Sequence, residues 1–199
     1  MITNHSPAHK SISPGGKFRH APDMSDVRQF GATGDGRSDD TAAIRHAIND
    51  GDGCLEFPKG RYRISGTIEI PIGKRGPCAI TGDGGTATVI MAGAGPAFRL
   101  VGNHAGTGDP GSVTPKVWDD ERMPTVRGFC IEGDHPEADG LELHGTLQAI
   151  FDGVMVRHVR HAFHLIRRNR NVIIINCHLY HNSGVGIFME GLNLHQINI

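Results

Sequence analysis

The sequence predicts an all-β fold, a solenoid of stacked short strands preceded by one short α-helix. Two observations predict the strands, because two different apolar strand patterns recur along the second half of the chain at similar intervals. A third observation predicts the helix, because residues 31–48, "GATGDGRSDDTAAIRHAI", pass from a glycine-rich turn into a helical apolar stripe. Repeated units that bury their apolar side chains only against neighbouring units are typical of solenoids.

The first repeated strand lies in the segments "GFCIEG", "GVMVRH" and "NCHLYH", which begin at Gly128, Gly153 and Asn176. The steps between them are 25 and 23 residues. Alternate side chains of a strand point to opposite faces, so equivalent apolar positions should stack in columns. The predicted columns are Phe129, Val154 and Cys177, followed by Ile131, Val156 and Leu179.

The second repeated strand lies in "GLELHG" from Gly140, "AFHLIR" from Ala162 and "GIFMEG" from Gly186. It predicts two more inward columns and one column on the opposite face. The inward columns are Leu141, Phe163 and Ile187, then Leu143, Leu165 and Met189; the outward column is Glu142, His164 and Phe188. Each turn of the solenoid is therefore predicted to contain two strands.

Earlier segments fit the same plan. They are "CLEF" (54–57), "RYRIS" (61–65), "TIEI" (67–70), "CAITG" (78–82), "TVIM" (88–91) and "AFRLVG" (97–102). Short strands at regular spacing would also allow a β-sandwich. The column-wise alignment of inward positions favours the solenoid.

The helix follows a tight turn at Gly34–Gly36, where glycine tolerates a positive φ. Ser38 or Asp39 is the predicted N-cap, and acidic groups there complement the positive end of the helix dipole. Residues 49–51, Asn-Asp-Gly, are predicted to end it. The apolar stripe consists of Ala43, Ile44, Ala47 and Ile48.

The acidic run at 35–40 does not fit a calcium loop, because the acid spacing of an EF-hand is absent. It does not fit a phosphate-binding loop either, since no Gly-Lys-Ser/Thr follows. We therefore predict that these acids start the helix, and we predict no metal site and no cofactor.

The segment "VRQFGATGDGRSDDTAAIRHAI" (27–48), followed by "CLEFPKGRYRIS" (54–65), resembles the N-terminal signature of the pectate-lyase superfamily. A similar opening occurs in rhamnogalacturonase-like lyases, exo-1,3-glucanases and phage tailspikes. The resemblance implies a right-handed parallel β-helix whose N-terminal end is plugged by the helix. It also implies a carbohydrate-active protein, and most family members are extracellular or on virions.

The resemblance does not supply catalytic residues. Polygalacturonase-like members carry Asn-x-Asp, Asp-Asp, Gly-His-Gly and Arg-x-Lys on successive turns, and three of these motifs are missing here. Asp39-Asp40 belongs to the helix start and Asp119-Asp120 to a loop. The catalytic residues therefore stay unknown, and the acids Glu142, Asp152 and Glu190 stay unassigned.

Residues 1–23 are predicted to be a flexible polar arm without the apolar stretch of a secretory signal peptide, and residues 24–199 a β-helix domain. The final segment "LNLHQINI" stops within a repeating strand. Because a solenoid needs a terminal cap, we expect an incomplete β-helix, a fragment of a longer protein.

The composition excludes several partners. Twenty basic residues against 21 acidic ones leave no electrostatic footprint for nucleic acid, and no window is apolar enough for a membrane span. The four cysteines contain no Cys-x-x-Cys pair, which argues against a zinc site. The oligomeric state and the compartment are not predicted.

Two features could bind an acidic polysaccharide. The arginines at 157–170 could form bidentate contacts with carboxylates, although such a cluster is also typical of a solvated turn region. Trp118, in the polar segment 103–124, could stack on a sugar ring, with Asp119–Glu121 as candidate acids; the alternative is a surface loop. The arginines are Arg157, Arg160, Arg167, Arg168 and Arg170.

Histidines are frequent near the same region. His158 and His181 share a predicted column, so stacking of turns should bring them close together. A metal pair is conceivable because imidazole is a common ligand, but surface or ladder histidines fit the spacing better.

The predicted function is that of a polysaccharide lyase or glycoside hydrolase, acting on or binding a polysaccharide such as a polyuronate. The alternative is a non-catalytic polysaccharide-binding or structural module, such as a tailspike-like or adhesin-like stem. Whether the chain is an enzyme is left open.

Overall fold

The computed structural model describes residues 24–190 and 195–199, so the predicted polar arm at 1–23 lies outside the described residues. The helices are α1 (Thr41–Asp50), α2 (Ile72–Arg75) and α3 (Pro115–Asp120), with short 3-10 helices at Val27–Phe30 and Pro110–Ser112. The strands, in chain order, are β1 (Ser25–Asp26), β2 (Asp35–Asp39), β3 (Cys54–Phe57), β4 (Gly60–Ile64), β5 (Ile68–Pro71), β6 (Ala79–Gly82), β7 (Ala87–Met91), β8 (Gly95–Val101), β9 (Thr125–Arg127), β10 (Cys130–Gly133), β11 (Ala138–His144), β12 (Ile150–Asp152), β13 (Met155–Arg157), β14 (Phe163–Arg167), β15 (Arg170–Ile175), β16 (His178–Tyr180), β17 (Ile187–Met189) and β18 (His195–Asn198).

The strands form three parallel sheets, an all-β arrangement consistent with a parallel β-helix. Sheet 1 has the order β1-β3-β6-β9-β12-β15-β18, sheet 2 has β16-β13-β10-β7-β4-β2, and sheet 3 has β17-β14-β11-β8-β5. From β3 onward, successive strands of the chain enter sheets 1, 2 and 3 in turn, and neighbours within each sheet are one turn apart. Such stacking satisfies the backbone of every inner strand on both sides.

Each turn therefore contains three strands, and the prediction of two strands per turn was wrong. The strands that the prediction missed in the second half belong to sheet 1. Two of them, β9 and β12, have only three residues each. A three-residue strand shows too little alternation to be recognised from apolar periodicity.

The turns differ in length because one of them carries an insertion. In sheet 1, Cys54 pairs with Ala79, Ala79 with Thr125, and Thr125 with Ile150, steps of 25, 46 and 25 residues. The long step contains the polar segment 103–124, which connects β8 in sheet 3 to β9 in sheet 1. α3 and the second 3-10 helix lie within that segment.

The predicted columns are confirmed. Ile131 pairs with Val156 and Val156 with Leu179 in sheet 2, while Leu141 pairs with Phe163 and Phe163 with Ile187 in sheet 3. Backbone hydrogen bonds also join the turns at the first column, from Met155 N to Phe129 O and from His178 N to Val154 O. Phe129, Val154 and Phe163 are fully buried, and each large apolar side chain buried in this way stabilises the fold by about 1.5–3 kcal/mol.

The helix α1 begins at Thr41 and ends at Asp50, as the stripe and the Asn-Asp-Gly stop predicted. Ile44, Ala47 and Ile48 are buried. The helix contacts β3 of sheet 1 and β5 of sheet 3, so its apolar face packs near the N-terminal ends of both sheets.

The predicted N-cap was partly wrong. Asp40, not Ser38 or Asp39, occupies the N-cap position, and its carboxylate accepts hydrogen bonds from Thr33 N at 2.7 Å and Gly34 N at 3.1 Å instead of capping the helix. Asp39 Oδ1 accepts the bond from Thr41 N. Hydrogen bonds from Ser65 and Thr41 lower the pKa of Asp39 to about 2.

Candidate functional site

The outer face of sheet 3 carries a row of polar and aromatic side chains in strict register. Glu69 pairs with Arg99, Arg99 with Glu142, Glu142 with His164, and His164 with Phe188. The column of Glu142, His164 and Phe188 predicted from the sequence is thereby confirmed. We call these five residues the sheet 3 row. They lie on the outer face because their neighbours along each strand, such as Leu143 and Leu165, fill the core.

Glu142 is the centre of the row. Glu142 is only 7% exposed, and its carboxylate contacts three basic side chains. Arg99 Nε lies 2.5 Å from Oε1, His144 Nε2 lies 2.9 Å from the same oxygen, and His164 Nδ1 lies 3.6 Å from Oε2. Burial by itself raises the pKa of Glu142, but the hydrogen bonds from His144 and Arg99 outweigh it and hold the pKa below its ordinary value.

His164 connects Glu142 to a second carboxylate. Its Nε2 lies 2.8 Å from Oε2 of Glu190, so both ring nitrogens face acidic oxygens. Its ring stacks on Phe188 with centroids 4.9 Å apart. A carboxylate, an imidazole and a second carboxylate in sequence are the groups that general acid–base chemistry requires.

A cleft, which we call the rim cleft, lies beside the row. It lies at the carboxyl ends of β8, β11 and β14 and has a volume of about 480 Å³. The polar segment 103–124 leaves sheet 3 at this cleft. The cleft is lined by residues 101–105, His144, Gly145, Arg167 and Arg168.

The structure does not bring the five predicted arginines together. Arg157 lies on the outer face of sheet 2, where its NH2 is 3.4 Å from Glu132. Arg160 forms a bidentate ion pair with Asp139 at 3.0 and 2.6 Å, and the same carboxylate accepts the backbone N–H of His161. Burial raises the pKa of Asp139, but the hydrogen bond from Arg160 and its neighbours keep the pKa below the ordinary value.

The other three arginines lie near the polar segment 103–124. Arg170 is 9% exposed and donates to the carbonyl oxygens of residues 107–109 at 2.9–3.2 Å. Arg168 donates to the carbonyl of Gly106 at 3.3 Å. Arg167 is exposed at the rim cleft. The proposed binding role of the five arginines stays a prediction, and their internal contacts show that Arg160 and Arg170 already have structural partners.

Trp118 lies on α3 with 45% of its surface exposed, and the guanidinium of Arg122 lies 5.1 Å from its ring centroid. Of the acids that follow it, Glu121 is buried and accepts hydrogen bonds from Asn103 N at 2.7 Å and Asn103 Nδ2 at 2.8 Å. Glu121 therefore anchors the start of the segment, while the role of Trp118 in sugar stacking stays a prediction.

The predicted pairing of His158 and His181 is confirmed, since their rings stack with centroids 5.7 Å apart and planes 10° apart. Both residues adopt positive φ values of 57° and 54° at the corner between sheets 2 and 3. Within residues 24–190 and 195–199, no group of three or more His, Cys, Asp or Glu side chains is arranged to hold a metal ion.

Sequence reasoning missed the cluster around Glu142. Arg99, Glu142 and His164 come from three turns, 43 and 22 residues apart. The usable signal was the outward column of the second repeat, which contained Glu142 and His164. Arg99 could have been added by extending that column to "AFRLVG", because Phe98 and Leu100 occupy the inward positions there.

Comparison with known proteins finds a family model that matches part of the chain. Residues 24–120 match the family model described as rhamnogalacturonase A/epimerase, pectate lyase-like. This part of the chain is therefore pectate lyase-like. The resemblance found in "VRQFGATGDGRSDDTAAIRHAI" and "CLEFPKGRYRIS" is confirmed.

The chain also matches short parts of curated relatives. Mannuronan C5-epimerase AlgE3 of Azotobacter vinelandii is 53% identical over 47 residues, which is 22% of this chain and 3% of that protein. Alginate lyase 7 of the same organism is 47% identical over 51 residues, 24% of this chain and 6% of that protein. The chain thus spans only a small part of the length of these relatives.

Among solved structures, ORF18 of Geobacillus virus E2 superposes with a TM-score of 0.60 at 17% identity, over 87% of this chain and 40% of that one. The surface protein and adhesin PfbA of Streptococcus pneumoniae superposes with a TM-score of 0.51 at 18% identity, over 76% and 40%. These likenesses concern the fold. Within residues 24–190 and 195–199, no helix combines the length and the apolar character needed to cross a membrane.

Proposed function

We propose that this chain is part of a protein that binds and processes a polysaccharide along the outer face of sheet 3. The observation that carries the proposal is the cluster of Glu142, His164 and Arg99, three chemically active side chains from three turns within direct contact. A row that runs across stacked turns suits an extended polymer, since it offers equivalent positions about 4.8 Å apart. The pectate lyase-like family agrees with this assignment.

A polyuronate is the substrate class that the charges favour. The curated relatives are named for mannuronan and alginate, and the sheet 3 row places Arg99 beside the acid–base pair. Removal of the hydrogen next to a sugar carboxylate needs a base and a cation that neutralises the carboxylate. His164 and Glu142 are the candidate proton-transfer groups, and Arg99 is the candidate cation.

Removal of this proton leaves a carbanion on the sugar, which can react in two ways. Elimination of the neighbouring glycosidic oxygen gives a lyase, whereas return of a proton to the opposite face gives an epimerase. Hydrolysis would instead require two carboxyl groups flanking the bond, for which Glu142 and Glu190 are the candidates on either side of His164. We favour proton abstraction over hydrolysis because proton abstraction gives Arg99 a role.

The second candidate is a module that binds or supports without turnover, such as a tailspike-like or adhesin-like stem. One observation favours it: both oxygens of Glu142 already have basic partners within the row. A cluster satisfied internally in this way also stabilises stacked turns without a ligand.

We infer three further features of the fold. Residues 24–199 form one β-helix domain, its winding is right-handed, and α1 covers its N-terminal end. The handedness is supported by the strong preference of parallel strand connections for right-handed crossovers. The cap is supported by the contacts of α1 with β3 and β5 and by its buried apolar face.

The test compares Glu142→Gln with Glu132→Gln. Glu132 is a matched control because it also contacts three basic side chains on an outer face, two arginines and one histidine, in sheet 2. The chain is assayed on oligomannuronate, oligogalacturonate and 1,3-glucan oligomers for binding, unsaturated products and epimerised units. We expect Glu142→Gln to lose about 10²–10⁴-fold in turnover while Glu132→Gln keeps it.

The same experiment separates the two candidates. Binding without any product from the wild-type chain supports the module, and retention of full turnover in Glu142→Gln removes the sheet 3 row as the catalytic site. A wild-type chain that binds none of the three oligosaccharides contradicts the proposal altogether.

A further inference from the structure

The rim cleft contains a local irregularity that points Arg167 toward the sheet 3 row. Leu143 pairs with Leu165, but the next residue, His144, pairs with Arg167, so β14 has one extra residue at this point. This is a β-bulge, which bends a strand and redirects a side chain. In a regular strand His144 would face Ile166, whereas here Arg167 takes that place at the cleft.

The charges of the cleft are unbalanced in favour of cations. Arg167, Arg168, His104 and His144 line it, and none of its lining residues is acidic. Two carboxylates adjoin the cleft: Glu142 is already paired with Arg99 and His144, and the buried Glu121 accepts hydrogen bonds from Asn103. Arg167 itself makes no ion pair with any acid of the described residues.

The cleft wall is also held in place by backbone and side-chain contacts. Nδ1 of the buried His104 lies 2.6 Å from the carbonyl oxygen of Arg168, so this nitrogen must be the donor. His104 Nε2 has no hydrogen-bonding partner. The backbone N–H of His104 donates to Gly145, and that of Gly102 donates to His144, which ties the segment to β11. The residues that line the cleft together with Arg167 are therefore held in place by hydrogen bonds.

The position of the cleft relative to the row sets a register. His144 follows Glu142 by two residues on β11, and a strand advances about 3.3 Å per residue, so their Cα atoms are about 6.6 Å apart. The cleft is therefore offset from the row along the strand direction. A polymer that lies along the row, across the stacked turns, could direct a carboxylate substituent sideways into the cleft.

We propose that the rim cleft is a carboxylate-binding subsite for one unit of an acidic polysaccharide, with Arg167 as its principal ligand. A guanidinium binds a carboxylate through two parallel hydrogen bonds, which fixes orientation as well as adding affinity. The subsite selects uronate polymers over neutral ones and holds the polymer on the sheet 3 row through a carboxylate that projects into the cleft. This inference rests on the proposed function, because it assumes that a polysaccharide occupies the row.

The test measures the affinity of the chain for an oligomannuronate and for a neutral oligomannose of the same length. The variants are Arg167→Ala, Arg167→Lys and the control Arg127→Ala, which removes an exposed strand arginine from sheet 1. We expect Arg167→Ala to weaken oligomannuronate binding at least tenfold and Arg167→Lys to weaken it less. Binding of oligomannose and the behaviour of Arg127→Ala should not change.

The outcomes separate this subsite from the proposed function. Unchanged oligomannuronate affinity in Arg167→Ala overturns the subsite but leaves the sheet 3 row standing. Equal weakening by Arg127→Ala overturns it too, because the effect would then reflect general surface charge. A wild-type chain that binds neither oligosaccharide overturns both proposals.

Discussion

Sheets 2 and 3 each carry a carboxylate surrounded by basic side chains on the outer face, but the two arrangements differ in packing. In sheet 2, Glu132 lies 3.2 Å from Arg61, 3.4 Å from Arg157 and 3.7 Å from His158. In sheet 3, Glu142 is approached to 2.5 Å by Arg99 and 2.9 Å by His144. The side chain of Glu132 is 20% exposed and that of Glu142 is 10% exposed.

The difference arises from what adjoins each sheet. The polar segment 103–124 leaves sheet 3 after β8 and lines the rim cleft. The sheet 3 row is therefore bordered on one side by this segment. The strands of sheet 2 continue into sheet 3 through short turns without such a wall. The same repeat thus produces a solvated ion-pair ladder on one face and a compact cluster beside a cleft on the other.

The first prediction separates the fold from the site on a single strand, β14. Phe163→Ala removes a fully buried ring and should lower the free energy of unfolding by about 3–5 kcal/mol. His164→Ala, one residue away on the outer face, should cost less than about 1.5 kcal/mol. Urea unfolding of both variants measures the contrast. Equal losses would mean that the outer row is as important to the fold as the core.

The second prediction compares the principal cations of the two carboxylates. Arg99→Ala leaves the largely buried Glu142 without its closest partner and should cost about 1.5–3 kcal/mol. Arg61→Ala removes a side chain that is 51% exposed and should cost at most about 1 kcal/mol. Thermal and urea unfolding check the order, and a larger loss in Arg61→Ala would contradict the distinction between the sheets.

The third prediction concerns pH. Burial raises the pKa of both Glu142 and Glu132, yet their basic partners keep each pKa below the ordinary 4.5. Each ionised carboxylate therefore stabilises the fold above that pH, and this stabilisation is lost as the pH falls through the lowered pKa. Urea unfolding between pH 7 and pH 3 should show that Glu142→Gln is less acid-sensitive than the wild type. Glu132→Gln should show the same change to a smaller extent; no change in Glu142→Gln would be inconsistent with a paired carboxylate.

The smallest expected effect is at the edge of sheet 2. Arg63 NH1 lies 2.6 Å from Asp134, but the two side chains are 33% and 57% exposed. Asp134→Asn should change the free energy of unfolding by about 0.5 kcal/mol or less, and the difference should disappear at about 1 M salt because exposed charges are screened. A larger, salt-independent loss would show that sheet 2 also holds a protected ion pair.

Much of the fold was predictable because the chain repeats. Phe163 and Leu165 align with Leu141 and Leu143 in sequence, and stacked parallel strands must place equivalent positions over one another. The same argument predicted that His158 lies on His181. The helix was predictable from its stripe and its stop, although the exact cap depended on which aspartate the turn at Gly34 recruits.

The strands of sheet 1 in the second half of the chain were not recognised. Strands such as β12 are too short to show a period and are defined only by pairing with neighbours one turn away. The arginines near 157–170 share a short stretch of sequence, but the chain crosses from sheet 2 through sheet 3 to sheet 1 within it, so they disperse. Sequence proximity therefore overstated their grouping.

Repetition and alternation alone determined that this protein stacks parallel strands, which side chains face inward, and which outward residues share a column. The tertiary structure decided which outward residues matter, because Arg99 reaches Glu142 only across neighbouring turns. It also decided the direction of Arg167, which depends on a one-residue bulge in β14 that no local pattern announces. The physical reason is that columns follow from a short-range period, whereas burial, contact and cleft shape depend on residues far apart in the chain.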